Sequence, residues 1–225
     1  MSAPEGIHSH VKLPSLLIAL NLLMQLHGSA QDLVDSEVVA ENVPETAIAS
    51  AVQAVAELGK SVVQGRYQVA LERMNPKEKK RLAMQQGGLE AVEEKLKAVP
   101  AEMVKQGVRI LSCKPQGKPL AYGVEPKMVV EEIGGKKVSR MKNSQWLIMV
   151  PTVTRFEVLH REDGQPAKWI EIESLGFQVA VSERDEADWT FIDGAGLTVG
   201  HLRTLYLTMP ADIELPKLQK RQVQN

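Results

Sequence analysis

The chain has one cysteine and almost no net charge, and each of these shortages excludes a class of protein. Cys113, alone among 225 residues, allows neither an intrachain disulfide nor a zinc site built from cysteines. It lies in the apolar run VRILSCK and is interpreted as a small core residue. A net charge of −1, with both signs interspersed, provides no basic surface for nucleic acid.

Motifs for nucleotide, metal and hydrolytic chemistry are also missing. In GAGLTVG the last glycine comes one position too late for the dinucleotide fingerprint, and there is no H-E-x-x-H or G-x-S-x-G motif. Outside the N-terminal segment only His160 and His201 remain, and both are predicted to be surface residues. Asp185, Asp188 and Asp193 lack calcium-loop spacing and are predicted to be solvated turn residues. The sequence therefore predicts no metal, no cofactor and no catalytic residue.

The N-terminus carries the one long apolar run. From about Leu13 to Leu26 the chain is mainly apolar, after a polar start with Lys12 and before the small residues 28–30. This order is typical of a secretory signal, and the run is short of the roughly 20 apolar residues of a membrane span. We expect residues 1–30 to be a signal peptide cleaved after Ala30; an uncleaved anchor is the alternative. Export without disulfides indicates a secreted or periplasmic protein of a bacterial envelope.

The mature chain begins with helices. Residues 31–44 are predicted to be a flexible lead-in, and a domain is expected over residues 45–216. A helical stripe is formed by Ile48, Val52, Val55, Leu58 and Val62, with a break near Gly65 and a second helix through RYQVALERM. Asn75 and Pro76 suit a helix start, Gly87 and Gly88 an end. A further helix, LEAVEEKLKAV, is expected to close at Pro100.

After Gly107 the apolar period changes to two, which predicts strands. VRILSCK is the first, and Gly134–Gly135 marks a tight hairpin. The long strand QWLIMVPTVTRFEVLHRE contains Pro151, and a turn at Asp163–Gly164 leads to a strand kinked at Gly176. WTFI is the last predicted strand, and residues 217–225 are predicted to be a disordered tail. Helices followed by an antiparallel meander indicate the α+β class.

One resemblance covers about residues 46–216. The stretch QGRYQVALERMNPKEKKRL, followed by a meander that ends in DWTFIDG and the tail TMPADIELP, resembles the NTF2-like (cystatin-like α+β) superfamily, especially its exported bacterial members. The matching residues of the last strand are Trp189, Phe191, Asp193 and Gly194. The resemblance implies a strongly curved antiparallel sheet that wraps around the N-terminal helices as a cone, with an apolar pocket at its open end.

This fold leads to a function hypothesis. We expect a non-catalytic domain that binds a small apolar molecule, a peptide or a partner protein, with a second copy of the chain among the allowed partners. The membrane is expected to matter only through the uncleaved signal segment. Ligand-binding candidates are Tyr67, Phe156, Phe177 and Trp189, which could equally be core residues. The alternatives are a small-molecule isomerase, dehydratase or hydrolase using the pocket, and a working surface on the outer sheet face.

Overall fold

Four helices precede the sheet, and a fifth follows most of it. The computed structural model describes residues 42–160 and 166–223. The helices are α1 (Glu45–Val63), α2 (Gln68–Glu72), α3 (Pro76–Gln86), α4 (Leu89–Lys105) and α5 (Val199–Leu205).

The strands form one sheet, in which all pairings between strands are antiparallel. They are β1 (Val108–Pro115), β2 (Leu120–Ile133), β3 (Lys136–His160), β4 (Lys168–Glu183), β5 (Thr190–Asp193) and β6 (Gln219–Gln222). The six-stranded sheet is open and does not close into a barrel. The predicted α+β class is therefore confirmed.

Two long strands organise the sheet. The second part of β3 pairs with β4, from Gln145↔Glu183 to His160↔Lys168. On the other edge of β3, β2 pairs with residues up to Met149, and β1 pairs with residues from Thr152 onward. On the outer edge of β4, β6 pairs with residues 172–175 and β5 pairs with residues 178–181. Both flanking edges thus change strands at one level, where Pro151 pairs with Phe177. We call this level the waist of the sheet.

Pro151 is tolerated at the waist because of the edge that it faces. Its carbonyl oxygen accepts a hydrogen bond from the Gln116 backbone N–H at 2.8 Å. Since the N–H and C=O of a strand residue point to the same edge, the missing proline N–H lies toward the β1–β2 connection. The ladder between β3 and β4 therefore runs through the proline without losing a donor.

The hairpin predicted at Gly134–Gly135 is confirmed. These glycines connect β2 to β3 directly, since Ile133 pairs with Lys136. Their φ angles of 58° and 75° are both positive, as a type I′ turn requires. Glycine meets this requirement without the penalty that a side chain would add.

The predicted start and end of α3 are confirmed, whereas the predicted end of α4 is not. The Asn75 side chain accepts from the Lys77 backbone N–H at 3.1 Å, and Pro76 occupies the first helical position of α3, as expected. The predicted closure at Pro100 is wrong, because α4 continues to Lys105 with the proline inside it. Val99 and Met103, on either side of Pro100, are buried against β1 and β3, and this packing outweighs the hydrogen bond that proline removes.

Apolar clusters occupy both faces of the sheet. On one face α1 packs on the centre of the sheet through Ala51, Ala54, Val55, Leu58, Ile148, Val150 and Ala180, and α4 packs beside it on Phe156 and Val158. On the opposite face α5 and the residue after it contribute Leu202, Leu205 and Tyr206, which cover Leu147, Met149 and Val179 of the sheet. The two faces are called the α1 face and the α5 face below.

The C-terminal segment differs from the prediction. Gln219–Gln222 form β6 on the edge of β4, whereas a disordered tail was predicted from residue 217. Arg221 anchors this strand, since its Nε donates to Glu173 Oε1 at 2.9 Å while Arg155 binds Glu173 Oε2 at 3.1 Å. The polar sequence gave no sign of this pairing because its carboxylate partner is distant in the chain. The predicted signal peptide and the turn at Asp163–Gly164 lie outside the described residues.

Candidate functional site

A groove of about 510 Å³ lies at the waist, on the α5 face. Its floor is made by Pro151 of β3 and Leu175 of β4, whose side chains lie on the α5 face of the paired strands. Leu120 and Tyr122 of β2 form one wall, and the segment between α5 and β6 forms the other. The lining residues are Gln116, Lys118, Leu120, Tyr122, Pro151, Thr152, Leu175, Gly176, Glu214, Leu215, Pro216 and Lys217.

The groove exists because α5 covers only part of its face. Leu120, Tyr122 and Leu215 pack against the edge of the cluster under α5 and remain half-buried. Beyond Leu175 the same face becomes charged, starting with Arg155 and the buried carboxylate of Glu173. The groove is therefore an apolar region between the core and the charged half of this face.

The rim of the groove carries the polar groups. Gln116, Lys118, Glu214 and Lys217 are exposed there. In the described part of the chain neither lysine has a carboxylate within 4.0 Å. Burial, and secondarily the charge of Asp212, raise the pKa of Tyr122, so its phenol stays a hydrogen-bond donor at neutral pH. The arrangement combines an apolar floor with a few polar groups that can orient a ligand.

The four predicted aromatic residues do not lie together. Tyr67 packs against the cluster that contains Phe156, below α4. Trp189 lies in the cluster under α1, where its Nε1 donates to Ser50 Oγ at 2.9 Å. Phe177 lies on the opposite face, in the cluster under α5. They belong to three separate clusters, and none of them lines the groove. Their predicted role in ligand binding stays a prediction.

Three aspartates were predicted to be solvated turn residues, and for Asp193 this prediction is wrong. Its Oδ1 accepts from the Ala195 backbone N–H at 3.2 Å and from Gln178 Nε2 at 3.3 Å. Desolvation raises its pKa well above the usual aspartate value, and these two hydrogen bonds only partly oppose the rise. Asp185 and Asp188 are exposed, as predicted. The sequence DG signals a turn but does not reveal that this carboxyl lies against the sheet.

Cys113 is shielded and has no catalytic partner among the described residues. Thr154 Oγ1 lies 3.5 Å from its sulfur, and burial raises the pKa of the thiol, which disfavours the reactive thiolate. His160 ends β3 and His201 lies on α5, so neither is a neighbour of the thiol in the sheet or along the chain. No group of three His, Cys, Asp or Glu side chains in the described ranges could hold a metal ion.

The groove was missed by the sequence analysis because its parts are distant in the chain. Two signals were present, namely the proline inside a long strand and Gly176 in the facing strand. What the sequence could not show is that they lie in neighbouring pairs of the ladder, Pro151 with Phe177 and Gly176 with Thr152, at the level where the flanking strands change. None of the helices in the described part is both long and apolar enough to cross a bilayer.

Comparison with known proteins assigns no family: no family model matches the chain, and no curated protein or solved structure is significantly similar to it.

Proposed function

We propose that the chain is an exported envelope domain of NTF2-like architecture that binds a small, mainly apolar molecule in the waist groove. The observation that carries the proposal is the groove itself. Its volume of about 510 Å³ falls within the range of roughly 300–1,000 Å³ of small-molecule sites. Apolar side chains form its floor, and polar groups are confined to its rim.

The rim suggests what such a molecule carries. Lys118 and Lys217 offer ammonium groups beside the apolar floor, and the protonated phenol of Tyr122 adds a donor. A ligand with an aliphatic body and one carboxylate would bury the body on Leu175 and Pro151 and place its charge at a lysine. A medium-chain fatty acid has this chemistry and is therefore a suitable probe.

The lining of the groove favours binding over catalysis. Of the residues that the structure describes, no histidine, cysteine or aspartate lines it. Glu214 and the lysines of the rim are exposed, so they lack the desolvated surroundings that tune an acid or base for catalysis. The proposal is therefore a carrier or sensor, without turnover of the ligand.

The test is binding of decanoate, measured by thermal shift and calorimetry. At 100 times its dissociation constant a ligand adds about 2.7 kcal/mol, or roughly 5–11 °C for a domain of this size. Leu175→Arg, which places a cation in the floor, should abolish the shift. Met84→Arg is the matched control, since Met84 is exposed on α3 and away from the groove. Equal binding by both variants, or no binding of decanoate and comparable amphiphiles, would contradict the proposal.

Asp193 supports a second candidate, an isomerase, dehydratase or hydrolase. Desolvation raises the pKa of the Asp193 carboxyl, so it keeps its proton to a higher pH than an exposed aspartate, as a general acid requires. It ranks second because Asp193 does not line the groove and its Oδ1 already accepts two hydrogen bonds. The test is deuterium exchange from solvent into an enone substrate, followed by mass spectrometry. Exchange that is lost in Asp193→Asn and retained in Leu175→Arg would favour this candidate over the binding domain.

A further inference from the structure

The β2–β3 hairpin extends beyond the rest of the sheet. Pairing between β3 and β4 starts at Gln145, whereas the pairing of β2 with β3 continues through residues 126–143 to the glycine turn. Within the described residues no third strand pairs with this segment. We call residues 126–143 the arm. A two-stranded ribbon is at best marginally stable in water, so an arm of this length gains from a surface on which to lie.

One face of the arm is apolar and exposed. Met128 and Met141 are directly opposite each other, and Val130 follows two residues along β2 on the same face. Their exposed fractions are 64%, 59% and 60%. We call these three side chains the apolar strip. Contiguous exposed apolar side chains of this size typically mark an interaction site.

The arm is also basic. It carries five cations and two carboxylates, a net charge of +3, while the whole chain has −1. Lys142 pairs with Glu131, and Lys127 lies 3.8 Å from Glu183. Lys136 and Lys137, beside the turn, have no carboxylate within 4.0 Å in the described part of the chain. Glu132 pairs with Lys137 in the ladder, so the excess positive charge belongs to the arm as a whole, next to the apolar strip.

This combination fits a lipid surface better than a protein surface. Protein interfaces are enriched in aromatic residues, Met and Arg and depleted of Lys; the arm has two methionines but no aromatic residue, and four lysines against one arginine. Anionic headgroups attract clustered lysines, and shallow aliphatic side chains such as those of Met and Val enter the boundary between headgroups and acyl chains. The long lysine side chains can reach the lipid phosphates while the strip lies deeper.

We propose that the arm docks the protein on an anionic membrane, with the apolar strip in the headgroup region and Lys136 and Lys137 on lipid phosphates. This contact is separate from the predicted signal segment and does not depend on the groove. It holds the domain at the bilayer surface without spanning the bilayer.

The experiment is sedimentation of the full chain with vesicles of phosphatidylcholine, with and without phosphatidylglycerol. The N-terminal apolar run is common to all variants, so differences between variants report the arm. Each surface lysine contributes about fivefold to binding of an anionic membrane, so Lys136→Glu/Lys137→Glu should weaken binding to the phosphatidylglycerol vesicles by at least about 25-fold. The matched control is Lys80→Glu/Lys95→Glu, which changes the net charge equally at exposed helical positions. It should bind within about twofold of the wild type, because surface charges farther than a Debye length from the membrane contribute little.

A second pair of variants tests the apolar strip. Met128→Ser/Met141→Ser should weaken binding to both kinds of vesicle, whereas Met84→Ser/Val104→Ser, two exposed positions on helices, should not. Circular dichroism checks that each variant folds, and the lysine variants decide the question if the methionine variant does not fold. Equal sedimentation of the arm variants and their controls would overturn the proposal. Loss of self-association on gel filtration with unchanged vesicle binding would also overturn it, by identifying the arm as a protein interface.

Discussion

Gly59 lies in the interior of α1, and replacing it with alanine should destabilise the protein. Helix propensity alone gives the opposite sign, because Gly→Ala in a helix interior stabilises by about 1 kcal/mol. The structure reverses this expectation. A Cβ at Gly59 would lie 2.6 Å from the carbonyl oxygen of Cys113 and 3.2 Å from its sulfur. The glycine is therefore where α1 contacts the backbone of β1.

The size of the effect follows from what can move. Cys113 pairs with Thr154 in the ladder between β1 and β3, so its carbonyl cannot shift without disturbing that ladder. Forcing an extra methyl group into such a contact costs roughly 1–3 kcal/mol. Because the contact at 2.6 Å is with backbone, the cost lies in the upper part of this range, at about 2–3 kcal/mol. After the propensity gain of about 1 kcal/mol, we expect Gly59→Ala to lose about 1–2 kcal/mol of unfolding free energy, a fall in Tm of roughly 2–8 °C.

Urea unfolding followed by circular dichroism measures this difference. Gly200→Ala is the matched control, because Gly200 lies in α5 and the nearest atom to its added Cβ, Thr198 Oγ1, is 3.8 Å away. The control should be neutral or slightly stabilising. If Gly59→Ala were as stable as the wild type, the close packing of α1 on β1 would be refuted.

Two further changes test the polar groups that fix the fold. Asn75→Ala should lower the unfolding free energy measured in urea by about 2–4 kcal/mol, because it removes the α3 cap and the buried hydrogen bonds to Thr190 and Tyr206. Asn75→Asp keeps the cap but not the amide donor, so it should lose less. Asp193→Asn tests the raised pKa of the Asp193 carboxyl. Between the ordinary aspartate pKa and the raised one, the folded state holds a proton that the unfolded chain releases. The wild type therefore loses stability as the pH rises through this range. The stability of the variant relative to the wild type should therefore increase with pH, and parallel pH profiles would contradict this account.

Features with a local signal were predicted from the sequence. The start of α3 at Asn75–Pro76 and the turn at Gly134–Gly135 depend on a few adjacent residues, whose chemistry fixes the backbone. Pro100 shows the limit of this reasoning. Its effect on a helix is local, but burial of Val99 and Met103 against distant strands decides where α4 ends.

The groove and β6 could not be predicted for the same physical reason. β6 depends on the contact of Arg221 with Glu173, 48 positions earlier in the chain, and the floor of the groove on the pairing of β3 with β4. The apolar period of two after Gly107 indicated strands with two faces, but not that helices would cover both faces of the sheet. For this reason the four aromatic residues that were predicted to bind one ligand lie in three separate clusters of the structure.

The waist explains why a binding site would form where it does. In a regular sheet each face position is filled by a side chain from every strand, and the flanking strands continue the surface. At the level of Pro151 and Phe177 both flanking edges change strands, so neither flanking strand continues the surface there. α5 ends at Leu205, and the chain then returns along this level through Glu214–Lys217 to reach β6. The returning segment supplies a wall but leaves the floor uncovered, so apolar surface of Leu175 and Leu120 stays available to a ligand. Burial of that surface would be the main source of affinity for the ligand proposed above.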